Sequence, residues 1–468
     1  MLNKKIVLVQ PSDLLGRDLF LTQPLSFEYV ASALLLAGFK NVFFIDTRIE
    51  KISPEQLPVI LRKRYGTVDF VCFTIFSQYF DSVKEYARQV KAAWPNIVTI
   101  GGGAHAILEP EQTLRLNRYL DFAFCGEAEE SLPEFIKNFN FKERYKDIPN
   151  LVFRQDGRVI VNQRKFLNDL SECPNIAHEL IRPDIYPAAG TGFIIAERKA
   201  ANLIATRGCP FNCSYCGATQ ISGARIRVRP VAQIINEMKL IYDKYNIREF
   251  RFLDDNLTFD RGFILALVKA IDDEFHGQIK WACPNGVRID RLDPETVMAM
   301  EKSGCYYFAV GVESGNERVL HLMKRGGLVR SKPYMKKQIE MIKQYTKIKV
   351  VAFFILGFPG ATRQEDEESI KFANELALDG VSYHIFSPIP GSDEWTRLKK
   401  DNPDIDSSAF TTYRVTYAAA GRSIREIKFL KLKAFLSFYI RPRIIWETLK
   451  CIRTFGQVKL IVKRLMAM

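Results

Sequence analysis

Apolar and polar positions along the chain form two long blocks of alternation, separated by a loop-rich stretch and followed by a basic tail. In residues 4–140 the apolar runs Ile6–Gln10, Val42–Asp46, Phe70–Phe76, Val98–Gly102 and Phe122–Gly126 alternate with segments of helical spacing, Phe27–Leu36, Glu55–Arg64, Tyr79–Trp94 and Glu111–Leu116. Strands buried on both faces read as continuous apolar runs. Regular alternation of such strands with helices predicts an α/β domain with a doubly wound, Rossmann-like parallel sheet. Ligands of these sheets sit at the carboxyl ends of the strands. Here those ends read Gln10-Pro11-Ser12, Thr74-Ile75-Phe76-Ser77, Gly101-Gly102-Gly103 and Gly126-Glu127-Ala128-Glu129.

The second block, residues 201–388, repeats the pattern six times. Its strands are expected at Asn202–Thr206, Glu249–Asp254, Lys280–Pro284, Tyr306–Gly311, Lys349–Leu356 and Val381–Ser387, with helices at Val231–Tyr245, Gly262–Phe275, Pro294–Lys302 and Gln364–Leu378. Six βα units fit a partial (β/α)6 barrel, whose chemistry belongs at the carboxyl ends of its strands. Five of those ends carry polar or glycine-rich turns in register: Leu253–Asn256, Cys283–Arg288, Gly311–Gly315, Leu356–Gly360 and Ser387–Gly391. Each alone could be a capped turn; five together need another explanation.

Between the blocks, Leu151–Phe153 and Val159–Val161 flank Asp156-Gly157, a hairpin signal, and Pro174, Pro183, Pro187, Gly190 and Gly192 mark loop. The divisions expected are 1–140, a connector at 141–195, the barrel at 196–400 and a helical tail at 401–468. In the tail, Ile424–Tyr439 sets Ile427, Leu430, Ala434 and Phe438 on one face with Lys428, Lys431 and Lys433 around it, and Arg441-Pro442-Arg443 breaks the helix.

Charge changes this picture in one place. The net +14 is concentrated in residues 425–468, where eleven Lys/Arg against two Glu give 11 − 2 = +9, leaving 14 − 9 = +5 for the body. A nucleic-acid groove across the molecule is not expected. The bland account of the tail is a solvated cap on the barrel; the sharper one is a surface for anionic lipid, peripheral to the inner face of the membrane, or for an acidic substrate. At 468 residues and 47% hydrophobic the chain suits two or three domains. It has no apolar stretch near the roughly 18 residues that span a bilayer, and Met1–Lys5 leads directly into a strand, with no signal peptide expected.

Candidate chemistry centres on Cys209-Pro-Phe-Asn-Cys213-Ser-Tyr-Cys216, directly after the first barrel strand. Three thiolates at this spacing suit a four-iron cluster with one iron left open for a ligand. Zinc more often takes paired CxxC knuckles or histidines, and no histidine lies between His178 and His276. Phe211 and Tyr215 would shield the cluster from water. Reduced thiols at such a site point to the cytoplasm. Cys283 and Cys305 are expected as buried apolar cysteines; Cys72, Cys125, Cys173 and Cys451 have no ligand spacing.

The motif, its place after a strand and the aromatic before its third cysteine resemble the radical S-adenosylmethionine enzymes. With the domain that precedes it, the chain is similar to the cobalamin-binding branch, whose signatures Ile100–His105 and Gly126–Glu129 resemble. The resemblance implies a [4Fe-4S] cluster on Cys209, Cys213 and Cys216, and S-adenosyl-L-methionine near Tyr215, Asp254, Asp255, Arg288, Glu313, Ser314 and Gly357. It implies cobalamin on Ser12, Thr74, Phe76, Ser77, Gln78, Tyr79, Gly101, Gly102, Gly103, Gly126 and Glu127. The better-known cobalamin domains carry Asp-x-His-x-x-Gly; it is missing here, so His105 is expected to be structural and cobalt to have no histidine ligand. The resemblance further implies an external electron donor of flavodoxin or ferredoxin type and a small-molecule or lipid-like substrate. The activity it implies is methylation of an unactivated carbon through a 5'-deoxyadenosyl radical and methylcobalamin, with oxidative ring closure or another C–C or C–O bond-forming reaction as the alternative. Methylthio transfer is not expected, since those enzymes have three further cysteines in the amino-terminal domain and this one has Cys72 and Cys125. No side chain is singled out as catalytic.

Overall fold

In a computed structural model, the structure describes all residues except 1, 15–20, 173–176, 189–193, 404, 406, 408–409, 411–414, 453, 455–456 and 459–468. Cys173, Pro174, Gly190 and Gly192 lie outside the described residues. The chain divides into two compact units, Met1–Arg182 with the short pieces Gln220–Ser222 and Asp406–Ser408, and the remainder.

In the first unit the strands are β1 (Lys5–Gln10), β2 (Asn41–Asp46), β3 (Phe70–Thr74), β4 (Val98–Gly102), β5 (Phe122–Phe124), β6 (Leu151–Gln155) and β7 (Arg158–Val161), in the order β2-β1-β3-β4-β5-β6-β7. Pairing is parallel from β2 to β5, with Leu8 opposite Phe44 on one side and Cys72 on the other. Val7, Val9, Val71 and Phe73 point alternately into a core completed by Val83, Tyr86 and Val90 of the helix Phe80–Ala93. The order reverses direction between β1 and β3, which opens a crevice at their carboxyl ends.

One expectation needs correcting. The hairpin read as part of the connector is β6–β7, and it continues the sheet: β6 pairs antiparallel with β5 through Phe122–Phe153 and Phe124–Leu151. Its turn is the one anticipated, with Asp156 and Gly157 both at positive φ (51° and 75°), as a two-residue hairpin requires. The pairing follows from Leu151, Val152 and Phe153, all buried; a hairpin with such a face must cover something.

In the second unit, β8 (Ala201–Leu203) precedes a two-residue ribbon, β9 (Thr206–Arg207) with β10 (Arg227–Val228). Then come β11 (Glu249–Phe252), β12 (Lys280–Val287), β13 (Cys305–Glu313), β14 (Lys349–Leu356) and β15 (Gly380–Ile385). The six long strands are parallel in the order β15-β14-β13-β12-β11-β8, an open barrel with its strands in chain sequence. Along β14, Val350, Ala352, Phe354 and Leu356 are fully buried in the core with Met335, Ile339 and Ile370 of the surrounding helices, so Val351, Phe353 and Ile355 face the other way, into the barrel. Helix starts follow local chemistry: Asp260 and Asp293 cap the helices Arg261–Phe275 and Pro294–Lys302, and Thr362 with Glu365 forms a capping box. The sequence analysis had not assigned the helices Glu317–Leu322 and Lys332–Tyr345.

The tail helix Ile424–Tyr439 runs between the residues expected, and Ile427, Leu430, Ala434 and Phe438 are its fully buried residues, joined to the barrel core. Lys431 is buried on that side too, so it does not belong to an exposed basic rim. The Tyr439 hydroxyl accepts from Val381 N (3.2 Å) and donates to Val381 O (2.8 Å), on the edge strand β15. The helix is thus part of the barrel. Leu430→Ala should lower unfolding stability by roughly 2–5 kcal/mol, whereas Leu432→Ala, on the exposed side, should leave it nearly unchanged; chemical denaturation of both variants checks this.

Candidate active site

The cysteine loop leaves the barrel at the end of β8 and is tied down on both sides. Asp254, after β11, accepts from Ala205 N (3.0 Å), from Thr206 N and from Thr206 Oγ1 (2.8 Å). Burial pushes the Asp254 carboxyl up to about 7 against these donors, which hold it down. Arg229 donates to Ile204 O (2.9 Å) and is ion-paired with Glu237 at 2.7 Å, both fully buried. Gly208 has φ 105° and a Cβ there would collide with the Arg225 carbonyl. Cys209 N donates to Gly223 O (3.0 Å), Cys216 N to Cys213 O (3.0 Å) and Ser214 N to Met323 O (3.0 Å).

Cys213 is buried and Cys209 and Cys216 are half-buried, all three free. Among the described residues no three ligands converge on a point that would hold a single ion. A cube of iron and sulfur asks for thiolates spread around it instead. Burial pushes the Cys209 thiol up and the Cys216 thiol up to about 12, and the neighbouring sulfurs and Asp255 push the same way. Such thiols ionise only against added positive charge, as iron brings. The protein contributes some of its own. Arg325 places Nη1 3.7 Å from Cys213 Sγ and 3.2 Å from the Tyr215 hydroxyl, while Nη2 donates to Gly311 O (2.7 Å). Its charge lies 3.8 Å from Glu313.

Glu313 reaches this cluster through a distortion. The register of β13 on β14 shifts between Gly311 and Glu313, and Glu313 has φ 66°. A bulge re-aims a side chain at the cost of strain. Gly311 is glycine because a Cβ would strike the Glu313 carboxylate. Burial raises the Glu313 pKa, opposed by Arg325.

The structure sorts the other expected residues. Tyr215 and Glu313 converge with Cys213 on Arg325. Arg288 stacks on the Phe211 ring at 3.8 Å, pairs with Asp290 (2.6 Å) and donates to Gly326 O, while its buried Nη1 has no partner among the described residues. Asp255 is exposed near Cys209 and Cys216. Three have partners within the fold. Asp254 is occupied in holding the loop. Ser314 bonds the Ser369 hydroxyl (3.1 Å) and receives Asn316 N (3.1 Å), because the turn after β13 must be closed against the helix Arg363–Glu375. Gly357, at φ 72°, donates to Asp366 and faces Ile427 of the tail helix, where a Cβ would come within 2.9 Å.

Two residues had been missed. Arg325 lies in an irregular segment after a short helix, with only the Gly326-Gly327 pair to mark it. Asn256 stood in a quoted strand end without a role; it is 1% exposed and neither end of its amide has a partner among the described residues. A buried unpaired amide beside the cysteine loop suits a polar ligand. Cys283 and Cys305 are fully buried in the core and burial pushes both thiols up.

The strand ends of the first unit sort likewise. Phe76 is 47% exposed after β3, with Ser77, Gln78 and Tyr79 half-buried beside it. Thr74 is buried against the turn at Gly103, which has φ 91°. Among the described residues a Cβ on Gly102 would meet nothing within 4 Å, whereas one on Gly101 would strike Ile75 and Leu120. Gly101 is therefore a packing glycine. Ser12 Oγ is 2.7 Å from the Tyr86 hydroxyl. His105 is buried, 3.0 Å from Ser77 Oγ and packed on Phe80, a structural position. Gly126 lies under Asn150, and the Glu127 carboxylate accepts from Leu167 N (2.6 Å). Both are engaged in holding the segment after the hairpin.

Residues 203–373 match the radical SAM superfamily model and residues 12–136 the B12 binding domain model. The chain is an enzyme of the radical S-adenosylmethionine superfamily, in the branch with an amino-terminal B12 binding domain. Among curated proteins it is 27% identical to an uncharacterised methyltransferase of Pyrococcus horikoshii, over 90% of this chain and 89% of that one. It is 26% identical to cytidylyl-2-hydroxyethylphosphonate methyltransferase of Streptomyces wedmorensis, over 88% and 85%. Among solved structures, the cobalamin-dependent radical enzyme OxsB superposes with TM-score 0.76 at 14% identity, over 100% of this chain and 72% of OxsB. The methyltransferase TsrM of Kitasatospora setae superposes with TM-score 0.70 at 14% identity, over 85% and 76%.

The charge argument at Arg325 has a measurable consequence. In Arg325→Gln the reconstituted cluster should still form, but its midpoint potential should fall on the order of tens of millivolts, because a cation and a hydrogen bond to a ligand sulfur favour the reduced state. A redox titration followed by electron paramagnetic resonance checks it. Cys213→Ala should instead abolish both the iron–sulfur absorbance and S-adenosylmethionine cleavage.

Proposed function

We propose that this enzyme methylates an unactivated carbon of a small or lipid-like molecule, using a [4Fe-4S] cluster, S-adenosylmethionine and cobalamin. The observation that carries the radical part is the loop Cys209–Cys216, three thiols free of disulfides, with the Arg325 guanidinium 3.7 Å from the Cys213 sulfur. Methyl transfer is supported by relatives named as methyltransferases that align over most of both chains. When bound, the cluster with S-adenosylmethionine supplies one-electron cleavage of the sulfonium, and cobalamin supplies a transferable methyl group.

The chain's own residues place and shield these groups. Cys209, Cys213 and Cys216 would hold the cluster and leave one iron open. Phe211, Tyr215 and the stacked Arg288 exclude water from one side of the loop. The carboxylate of Glu313 suits an ammonium, the unpaired Nη1 of Arg288 suits a carboxylate, and the amide of Asn256 can serve either. In the first unit, Phe76 with Ser77, Gln78 and Tyr79 would lie against a macrocycle approaching over Gly102, with Ser12, Thr74 and Gly103 shaping the crevice. His105, held to Ser77, would keep that residue in place beside the macrocycle. A reductant of flavodoxin or ferredoxin type completes the set of partners, and reduced thiols favour a cytoplasmic setting.

A second reading, oxidative ring closure, is favoured by a 24% identity to the anaerobic magnesium-protoporphyrin IX monomethyl ester cyclase of Cereibacter sphaeroides, over 82% of this chain and 61% of that one. The two differ in their products. A methylase should release S-adenosylhomocysteine and 5'-deoxyadenosine in equal amounts, and label from the methyl of S-adenosylmethionine should appear in the product. Release of 5'-deoxyadenosine with product but without matching S-adenosylhomocysteine would decide for ring closure. Anaerobic turnover with both nucleosides quantified makes the measurement.

A further inference from the structure

We infer that the C-terminal helices form a docking face for an anionic lipid surface, and that they do so with the side of the helix opposite the one its sequence pattern singles out. The tail helix Ile424–Tyr439 has two apolar sides. The first, with Ile427, Leu430, Ala434 and Phe438, is used up in the barrel core. The second carries Phe429, Leu432 and Leu436, and Ile440 continues it past the helix end. These positions are spaced three, four and four residues apart, one continuous stripe at helical period. The next helix, Pro442–Lys450, adds Ile445, Trp446 and Leu449. All seven side chains are between 39% and 62% exposed. Along the first helix the stripe lines an open groove of about 660 Å³.

An amphipathic helix needs one apolar side for its own domain; a second, solvent-facing one marks a surface meant for something else. Charge selects the occupant. Exposed Arg425, Lys428, Lys433, Arg443 and Lys450 border the stripe, against Glu426 and Glu447 in the same helices; Lys433 pairs with Glu367 (3.0 Å) and Lys450 with Glu447 (2.9 Å), which leaves Arg425, Lys428 and Arg443 as the uncompensated excess. The sequence beyond Lys450 holds Arg453, Lys459, Lys463 and Arg464 and no acid. A second copy would bring this ring of cations against itself, which opposes association. A bilayer containing acidic phospholipid offers both what the stripe lacks, an apolar interior, and what the rim lacks, counter-charge. Trp446, its ring 5.2 Å from the Lys450 ammonium, has the amphipathic character that favours the headgroup boundary. No described helix is long and apolar enough to cross a membrane, so the contact is one of lying on the surface.

The inference stands apart from the chemistry proposed above and is tested without it. The full chain is sedimented with vesicles of phosphatidylcholine alone or mixed with phosphatidylglycerol. It should partition onto the mixed vesicles and leave them as salt is raised, with little binding to the neutral ones. The triple variant Phe429→Ser, Leu436→Ser, Trp446→Ser removes only exposed side chains, so it should keep the parent melting temperature while losing about tenfold or more in partitioning. Equal binding to neutral and mixed vesicles would overturn the inference, as would undiminished binding by the triple variant. So would a parent dimer that the triple variant breaks, with no vesicle binding by either, since that would make the stripe an interface between copies.

Discussion

A guanidinium 3.7 Å from a cysteine sulfur is the contact on which the arrangement at the barrel rim depends. Burial holds the thiols of Cys209 and Cys216 in their neutral form, and positive charge nearby favours the thiolates. Arg325 supplies it from within the fold, and its other bonds explain features that would otherwise look unrelated. Its second nitrogen takes the Gly311 carbonyl, Gly311 must lack a side chain to admit Glu313, and Glu313 gets there only through a bulge and a left-handed backbone. Strain in β13, a glycine in mid-strand and a phenol between two ligand cysteines are parts of one charge balance.

Much of the architecture was legible because parallel strands buried on both faces leave uninterrupted apolar runs. All five strands of the first parallel sheet and all six barrel strands were anticipated to within a few residues, and the tail helix to its ends. The hairpin was found as a hairpin but misplaced as connector, since a turn signal tells that two strands meet each other and not which sheet they join. The helix Lys332–Tyr345 escaped notice because Lys, Gln and Glu outnumber its three buried residues, Met335, Ile339 and Ile342.

The cysteine motif was legible in the sequence and its surroundings less so. A cysteine spacing is written along the chain, whereas Arg325 comes to Cys213 from more than a hundred residues away and leaves no local mark. The strand-end residues Asp254, Ser314 and Gly357 stood out in the sequence, and the fold gives each a supporting contact: a carboxylate pinning a loop, a hydroxyl closing a turn, a glycine admitting Ile427. Polarity at a strand end identifies the rim; only side-chain partners tell which residues face inward from it.

The open barrel raises a further consideration. A sheet that does not close presents an edge, and on the β15 side a single phenol occupies both hydrogen-bonding groups of Val381. Tyr439 does there what a neighbouring strand would do, and it is carried by the same tail helix whose outer side is apolar. Shortening this protein ahead of residue 424, as one might to obtain a minimal catalytic fragment, would therefore do more than delete an appendage. It would bare Ile427's contact at Gly357 and the main-chain donor and acceptor of Val381 together, apolar surface beside an open strand edge, the combination from which edge-to-edge aggregates grow. Insolubility of such a fragment would be a property of the uncapped sheet and would say nothing about the cluster.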